Sequence, residues 1–138
     1  ITKMKKIIAS ATLVLMTAFC LLSCKKSDKQ PTTMEKIQGK WQLVTDVFND
    51  HISGQDDINT ITGGSGDIID FRTDGKVYSN IQSVGDTSTY VLSGETKIVI
   101  NGNLNYDITT LTSNSFILHE KENAGGTDFY EETITLKK

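Results

Sequence analysis

The stretch DIIDFRTDGKVYSNIQS, residues 67–83, shows most directly how this chain folds. Apolar and polar residues alternate in its first half, which places Ile69 and Phe71 on the same side of a strand. Asp74 and Gly75 form a dipeptide typical of a tight hairpin turn, and a second alternating run follows them. The stretch therefore predicts two neighbouring antiparallel strands.

The same pattern continues along the chain as short runs rich in Thr, Val, Ile and Tyr, separated by Gly, Asn and Ser turns. We predict eight strands, at residues 41–48, 67–72, 76–83, 87–93, 96–100, 104–110, 115–121 and 127–136. Eight short strands in a meander favour an all-β, up-and-down antiparallel barrel, because closure leaves no unpaired edge. An open sandwich is the alternative.

Two segments near the first strand interrupt the strand pattern. Residues 34–38 predict one helical turn, with Thr33 as its N-cap. Asn49–Gly66 predicts a long polar loop that is either a functional lid or simply mobile, and its glycines at 63, 64 and 66 suggest mobility.

Alternation in the first strand places Trp41, Leu43, Thr45 and Val47 on one face.

The N-terminus has the layout of a secretory signal. Lys3, Lys5 and Lys6 precede an uncharged run, Ile7–Leu22, whose 16 residues fall short of a membrane-spanning helix, which needs about 20. We expect residues 1–23 to be a helical signal peptide.

The residues Leu21-Leu22-Ser23-Cys24 resemble the lipobox of bacterial lipoproteins. In that family the cysteine thiol receives a diacylglyceryl group, and a peptidase cuts just before the cysteine. The resemblance implies that Cys24 is lipidated, that residues 24–33 form a tether, and that residues 34–138 form a barrel domain held at the cell envelope, on the outer membrane. An uncleaved signal anchor or a plain secreted protein is the alternative.

The cysteines and the charge of the expected mature chain exclude several functions. Cys20 would leave with the signal and Cys24 would be lipidated, so no disulfide and no catalytic thiolate would remain. All 17 acidic residues but only 11 basic residues follow the cut, a net charge of −6. Nucleic-acid binding is not expected, because no basic stripe is present to neutralise phosphates.

Two further motifs resemble lipocalin-like domains of Gram-negative lipoproteins. Gly39-Lys40-Trp41 resembles the G-x-W motif at the start of lipocalin barrels, and Phe71-Arg72-Thr73-Asp74-Gly75 resembles their F-x-x-D-G hairpin. The resemblance implies a barrel in which Gly39 allows a close bend and Trp41 plugs the base. In lipocalins an arginine packs on this tryptophan, whereas the only arginine here is Arg72.

A barrel of eight strands can hold one small ligand. We expect a monomer, with no cofactor, that binds a small apolar or amphipathic ligand inside the barrel. The candidate lining residues are Phe71, Tyr90, Leu92, Ile98, Ile100, Tyr106, Phe116, Leu118 and Tyr130. The alternative is a filled barrel with a structural or protein-interaction role.

Catalytic and metal-binding patterns are weak. His51 and His119 lie far apart in the sequence, no nucleophile, base and orienting group converge, and we expect no enzymatic activity and no metal. Asp50, His51, Asp56 and Asp57 could hold calcium, but a solvated acidic loop is the simpler interpretation.

Glu132 shares a face with Tyr130 and Ile134, so it could meet a ligand or pair with Arg72 or a lysine.

Overall fold

A short helix and nine antiparallel strands make up the computed structural model, which describes residues 29–138. The predicted signal peptide, Cys24 and most of the tether lie outside the described residues. The elements are α1 (Thr33–Ile37), β1 (Gly39–Ile52), β2 (Gln55–Thr62), β3 (Ile68–Phe71), β4 (Lys76–Ile81), β5 (Val84–Leu92), β6 (Lys97–Ile100), β7 (Leu104–Leu111), β8 (Ser115–Gly125) and β9 (Asp128–Lys137).

Eight of these strands close into the predicted barrel. Each strand from β3 to β9 pairs with the next one along the chain, β1 pairs with β3, and β9 returns to pair with β1. The turn at Asp74-Gly75 joins β3 to β4, with Phe71 opposite Val77. The all-β, up-and-down antiparallel barrel is therefore confirmed.

The prediction of a long loop over residues 49–66 is wrong. The first strand continues to Ile52, turns at Ser53-Gly54 and returns as β2, with Ile52 opposite Gln55. Both turn residues have positive φ, 55° and 77°, as the tightest hairpin turns require. Strand β2 is polar and mostly exposed, so it lacks the apolar alternation that marks a strand with one buried face.

Strands β2 and β3 lie one after the other along the same edge of β1. The N-terminal part of β1, residues 39–42, pairs with β3, whereas residues 45–52 pair with β2. The pairing of β8 with β9 also continues to Gly125, beyond His119, where the pairing of β8 with β7 ends. Strands β2, β1, β9 and β8 therefore extend beyond the barrel rim as a four-stranded sheet.

The base of the barrel is filled by aromatic and aliphatic side chains around Trp41, which is fully buried. Its ring centroid lies 5.3 Å from that of Phe116, which lies 5.6 Å from that of Phe71. The indole Nε1 donates a hydrogen bond to the Ile37 carbonyl at 2.7 Å, so the buried polar group is satisfied.

A lysine packs on this tryptophan where the lipocalin pattern has an arginine. Lys138 Nζ lies 4.4 Å from the Trp41 ring centroid, and it donates hydrogen bonds to the carbonyls of Lys36 and Gln38, each at 3.4 Å. Arg72 is half exposed and instead pairs with Asp74.

The helix begins one residue earlier than predicted. Thr32, not Thr33, is the N-cap, and it forms a reciprocal capping box with Glu35. The side chain of Thr32 accepts from the Glu35 backbone N–H at 3.2 Å, and the Glu35 carboxylate accepts from the Thr32 backbone N–H at 2.7 Å. Within residues 29–138, none of the helical structure has the length and apolar character needed to cross a membrane.

An irregularity in β1 reverses the inward face of this strand. The register between β1 and β9 shifts between Leu43 and Thr45, which leaves Val44 as an extra residue. The prediction that Thr45 shares the buried face of Trp41 and Leu43 is wrong, because Asp46 is buried there instead, with 5% of its surface exposed.

Gly63 packs directly against this bulge. Its N–H donates to the Val44 carbonyl at 2.9 Å, and a Cβ added to it would lie 2.1 Å from the backbone oxygen of Leu43. This glycine is therefore needed for a close approach of two backbones, not for mobility as the sequence suggested.

Asp67 fixes the rest of the connection between β2 and β3. One carboxylate oxygen accepts from the Gly64 N–H and the other from the Gln82 N–H, both at 2.7 Å. The Asp67 carbonyl accepts from the Leu43 N–H at 2.9 Å, so the connection is tied to both β1 and the end of β4.

We predict that Gly63→Ala lowers the free energy of unfolding by about 2–4 kcal/mol, because the new methyl group meets backbone that cannot move aside easily. Urea denaturation measures the change. Gly66→Ala is the matched control, since a Cβ there meets no atom within 4 Å. Equal unfolding midpoints for the two variants would show that the Gly63 contact is not tight.

Candidate ligand cavity

Above the filled base, the barrel holds a cavity of about 200 Å³ that is partly open to solvent. Strands β1, β3, β4, β5, β6, β7 and β9 contribute to its wall. The lining residues are Asp46, Ile69, Val77, Ser79, Ile81, Asp86, Ser88, Ile100, Leu104, Tyr106, Glu132 and Ile134. None of these described lining residues is a lysine, an arginine or a histidine, so the polar part of the wall carries only negative and neutral groups.

Two carboxyl side chains, Asp46 and Glu132, meet on the inner face of neighbouring strands. In the register of β1 with β9, Asp46 lies opposite Ile134 and Phe48 lies opposite Glu132, so the two carboxyls are diagonal neighbours. The bulge at Val44 produces this arrangement, because without it Asp46 would point outward.

Tyr106 on β7, which only β8 separates from β9, joins the pair. Its buried hydroxyl donates a hydrogen bond to Glu132 Oε2 at 2.5 Å. Asp46 Oδ1 is buried as well, but among residues 29–138 it has no hydrogen-bond partner. The cluster therefore presents to the cavity one carboxyl group bonded to Tyr106 and one whose Oδ1 has no hydrogen-bond partner among the described residues.

Burial changes the acidity of all three groups. Loss of water, together with the charge of Glu132 and a hydrogen bond with it, raises the pKa of Asp46 to about 7. Burial also raises the pKa of Glu132, although hydrogen bonds with Tyr106 and Asp46 act in the opposite direction. Burial, reinforced by Glu132, raises the pKa of Tyr106. The two carboxyls therefore share a proton up to about neutral pH.

The nine predicted lining residues occupy three different places. Ile100 and Tyr106 line the cavity. Six others belong to the filled base or pack against it, namely Phe71, Tyr90, Leu92, Ile98, Phe116 and Leu118. Tyr130 is 46% exposed and lines a separate depression of about 130 Å³ on the four-stranded sheet beyond the barrel rim. Glu132 lines both this depression and the cavity. A ligand-binding role for these nine residues stays a prediction.

Several polar lining residues are not among the nine predicted from the sequence. Ser79 and Ser88 share the inward faces of their strands with Val77 and Tyr90, so polar residues at these alternate positions could have been noticed in the sequence. Strict alternation does not predict Asp46 as an inward residue, because the bulge at Val44 reverses the pattern. Glu132 faces inward, and its hydrogen-bond partner is Tyr106, not Arg72 or a lysine.

The acidic residues near the β1–β2 turn are Asp50, Asp56 and Asp57, and one of them contacts His51. His51 Nδ1 lies 2.7 Å from Asp56 Oδ1, and this hydrogen bond lowers the pKa of the Asp56 carboxyl. Within the described part of the chain, no group of three or more His, Cys, Asp or Glu side chains is arranged to hold a metal ion.

The chain matches no protein-family model, and no curated protein sequence is significantly similar to it. The assignment of a function therefore depends on the cavity itself.

We predict that Asp46→Asn stabilises the protein above pH 7. The folded state holds the Asp46 proton more tightly than the unfolded chain, since its pKa rises from 3.8 to about 7. The Asp46 carboxyl therefore makes the wild-type protein lose stability as the pH rises from about 4 to about 7, and the loss is complete above the folded-state pKa. The asparagine variant lacks this loss.

We expect the variant to be more stable than the wild type by roughly 4 kcal/mol at pH 8 and to match it near pH 4, because each unit of pKa shift corresponds to about 1.4 kcal/mol. Urea denaturation across this pH range measures the difference. Asp57→Asn, which removes an exposed carboxylate, is the control and should leave the pH dependence unchanged. The same pH profile for Asp46→Asn and the wild type would place Asp46 in contact with water.

Proposed function

We propose that this chain is a lipid-anchored, lipocalin-like protein of the cell envelope whose barrel binds a small amphipathic ligand without catalysing a reaction on it. The observation that carries the proposal is the cavity, in which an apolar wall surrounds a buried polar cluster. Ligand sites are commonly concave, mostly apolar and equipped with a few convergent polar groups.

The size and position of the cavity limit the ligand. At about 200 Å³ the cavity is smaller than typical sites for drug-sized molecules, which measure about 300–1,000 Å³. The cavity shares Ile69, Val77 and Ile134 with the packed core, so part of its wall is held by close-packed side chains. A short-chain or single-ring molecule that enters from the open end would match this space.

The outer edge of β2 favours a second role, as a docking site for another envelope protein. Among the described strands, β2 pairs only with β1, and Ile58 on it is 62% exposed. An unpaired strand edge can pair with an extended segment of a partner. We place this role second because the barrel of a purely structural protein has no need of a buried carboxyl oxygen without a hydrogen-bond partner, as Asp46 Oδ1 is among the described residues.

The lipobox-like residues before Cys24 support the anchor. We predict that Cys24→Ala shifts the protein from the membrane fraction to the soluble fraction, because the acyl chains supply the membrane affinity. Immunoblotting of fractionated cells measures the shift. Cys20→Ala is the matched control and should remain membrane-bound, and retention of both variants on membranes would rule out lipidation at Cys24.

Ligand binding is tested with n-hexanol as a probe, followed through the amide NMR shifts of residues that line the cavity. We predict saturable shifts at Ser79, Ser88 and Tyr106, and binding at least about tenfold weaker in Ser88→Leu, whose side chain fills the cavity. Thr89→Leu, the exposed neighbour on β5, is the control and should bind like the wild type. If hexanol produces no saturable shifts at these residues, the cavity is not a ligand site.

A further inference from the structure

The unpartnered oxygen of Asp46 is the most unusual feature of the cavity. Only 5% of the Asp46 surface is exposed, the side chain lines the cavity, and Oδ1 lacks a hydrogen-bond partner among the described residues. Leaving a buried acceptor unsatisfied costs free energy, and the neighbouring Tyr106 hydroxyl is already committed to Glu132. A donor supplied by a ligand would remove this cost.

The charge around Asp46 indicates which kind of donor fits. Glu132 lies beside it, Asp86 belongs to the same cavity wall, and no lysine, arginine or histidine is among the lining residues. A cationic donor would therefore gain attraction as well as a hydrogen bond, whereas an anion would be repelled. A bare metal ion fits poorly, because the described residues offer no cluster of three metal-ligating side chains.

The rest of the cavity wall is suited to the alkyl chain or ring of a ligand. Its apolar surface comes from strands on every side of the carboxyl cluster, with the lining side chains Ile69, Val77, Ile81, Ile100, Leu104 and Ile134. A ligand with a polar end at Asp46 would thus bury its other end against branched aliphatic groups.

We infer that the cavity selects small amphipathic amines, whose ammonium group donates hydrogen bonds to Asp46 and Glu132 while the apolar part packs on the aliphatic wall. An ammonium group offers up to three N–H donors and needs no acceptor, which matches a cluster of carboxyl oxygens. This inference rests on the proposed function, because it assumes that the cavity holds a ligand.

The test compares n-hexylamine with n-hexanol and n-hexanoate, three probes with the same chain length and different head groups. Isothermal titration calorimetry at pH 7 measures their affinities for the full chain. We expect the amine to bind at least about tenfold more tightly than the alcohol, because charge-assisted hydrogen bonds are stronger than neutral ones, and hexanoate to bind most weakly.

Amine binding should also release a proton. The bound ammonium group favours the ionised form of Asp46. Calorimetric titrations near pH 7 in two buffers of different ionisation enthalpy should therefore give different apparent binding enthalpies. The other ionisable groups that face Asp46 or its partners are Glu132 on β9, Tyr106 on β7, Glu120 on β8 and Asp86 on β5. All of them are acids, and the bound ammonium group favours the ionised form of each, so none of them is expected to take up the released proton.

The decisive variant is the double substitution Asp46→Asn/Glu132→Gln. It should lose both the amine preference and the proton release, so that its affinities for hexylamine and hexanol differ by less than about twofold. Asp57→Asn/Glu122→Gln removes the same two charges from residues that do not line the cavity, and it should keep the preference. Circular dichroism confirms that each variant is folded.

The outcomes separate this inference from the proposed function. Equal affinities of the wild type for hexanol and hexylamine, or an amine preference that survives in Asp46→Asn/Glu132→Gln, would overturn the inference and leave the cavity as a ligand site. The absence of binding for all three probes, in the wild type and the double variant alike, would overturn both.

Discussion

The contact between Gly63 and the bulge at Val44 determines what faces the inside of this barrel. A residue without a side chain allows the connection after β2 to approach β1, where its N–H pairs with the Val44 carbonyl. The extra residue in β1 then reverses the alternation that Trp41 and Leu43 begin. One backbone contact thereby turns a carboxyl group, Asp46, toward the interior.

This reversal divides the barrel into an apolar part and a part that contains buried carboxyl groups. On one side of the bulge, close-packed rings around Trp41 give a core stabilised by apolar burial and by a satisfied indole N–H. On the other side, Asp46 and Glu132 occupy space that apolar residues would otherwise fill, and burial raises the pKa of each. A polar cluster that costs stability in the free protein is a common property of binding sites.

The barrel could be predicted from the sequence because most of its strands have one buried face and tight turns between them. The Asp74-Gly75 hairpin and the inward positions of Phe71, Phe116 and Leu118 follow directly from period-two alternation. Strand β2 could not be found in this way, because it is exposed on both faces.

The cavity was only partly predictable. Strict alternation in β1 gives Thr45 as the inward residue, and nothing in the sequence around Val44 marks a bulge, which depends on the distant Gly63. Aromatic residues were natural candidates for a lining, yet most of them fill the base, and the cavity wall is aliphatic and acidic instead. The most direct test of this account is an NMR titration of the Asp46 side-chain carboxyl. We predict a midpoint of about 7, whereas a midpoint near 4 would mean that the carboxyl faces water and that the bulge does not turn it into the cavity.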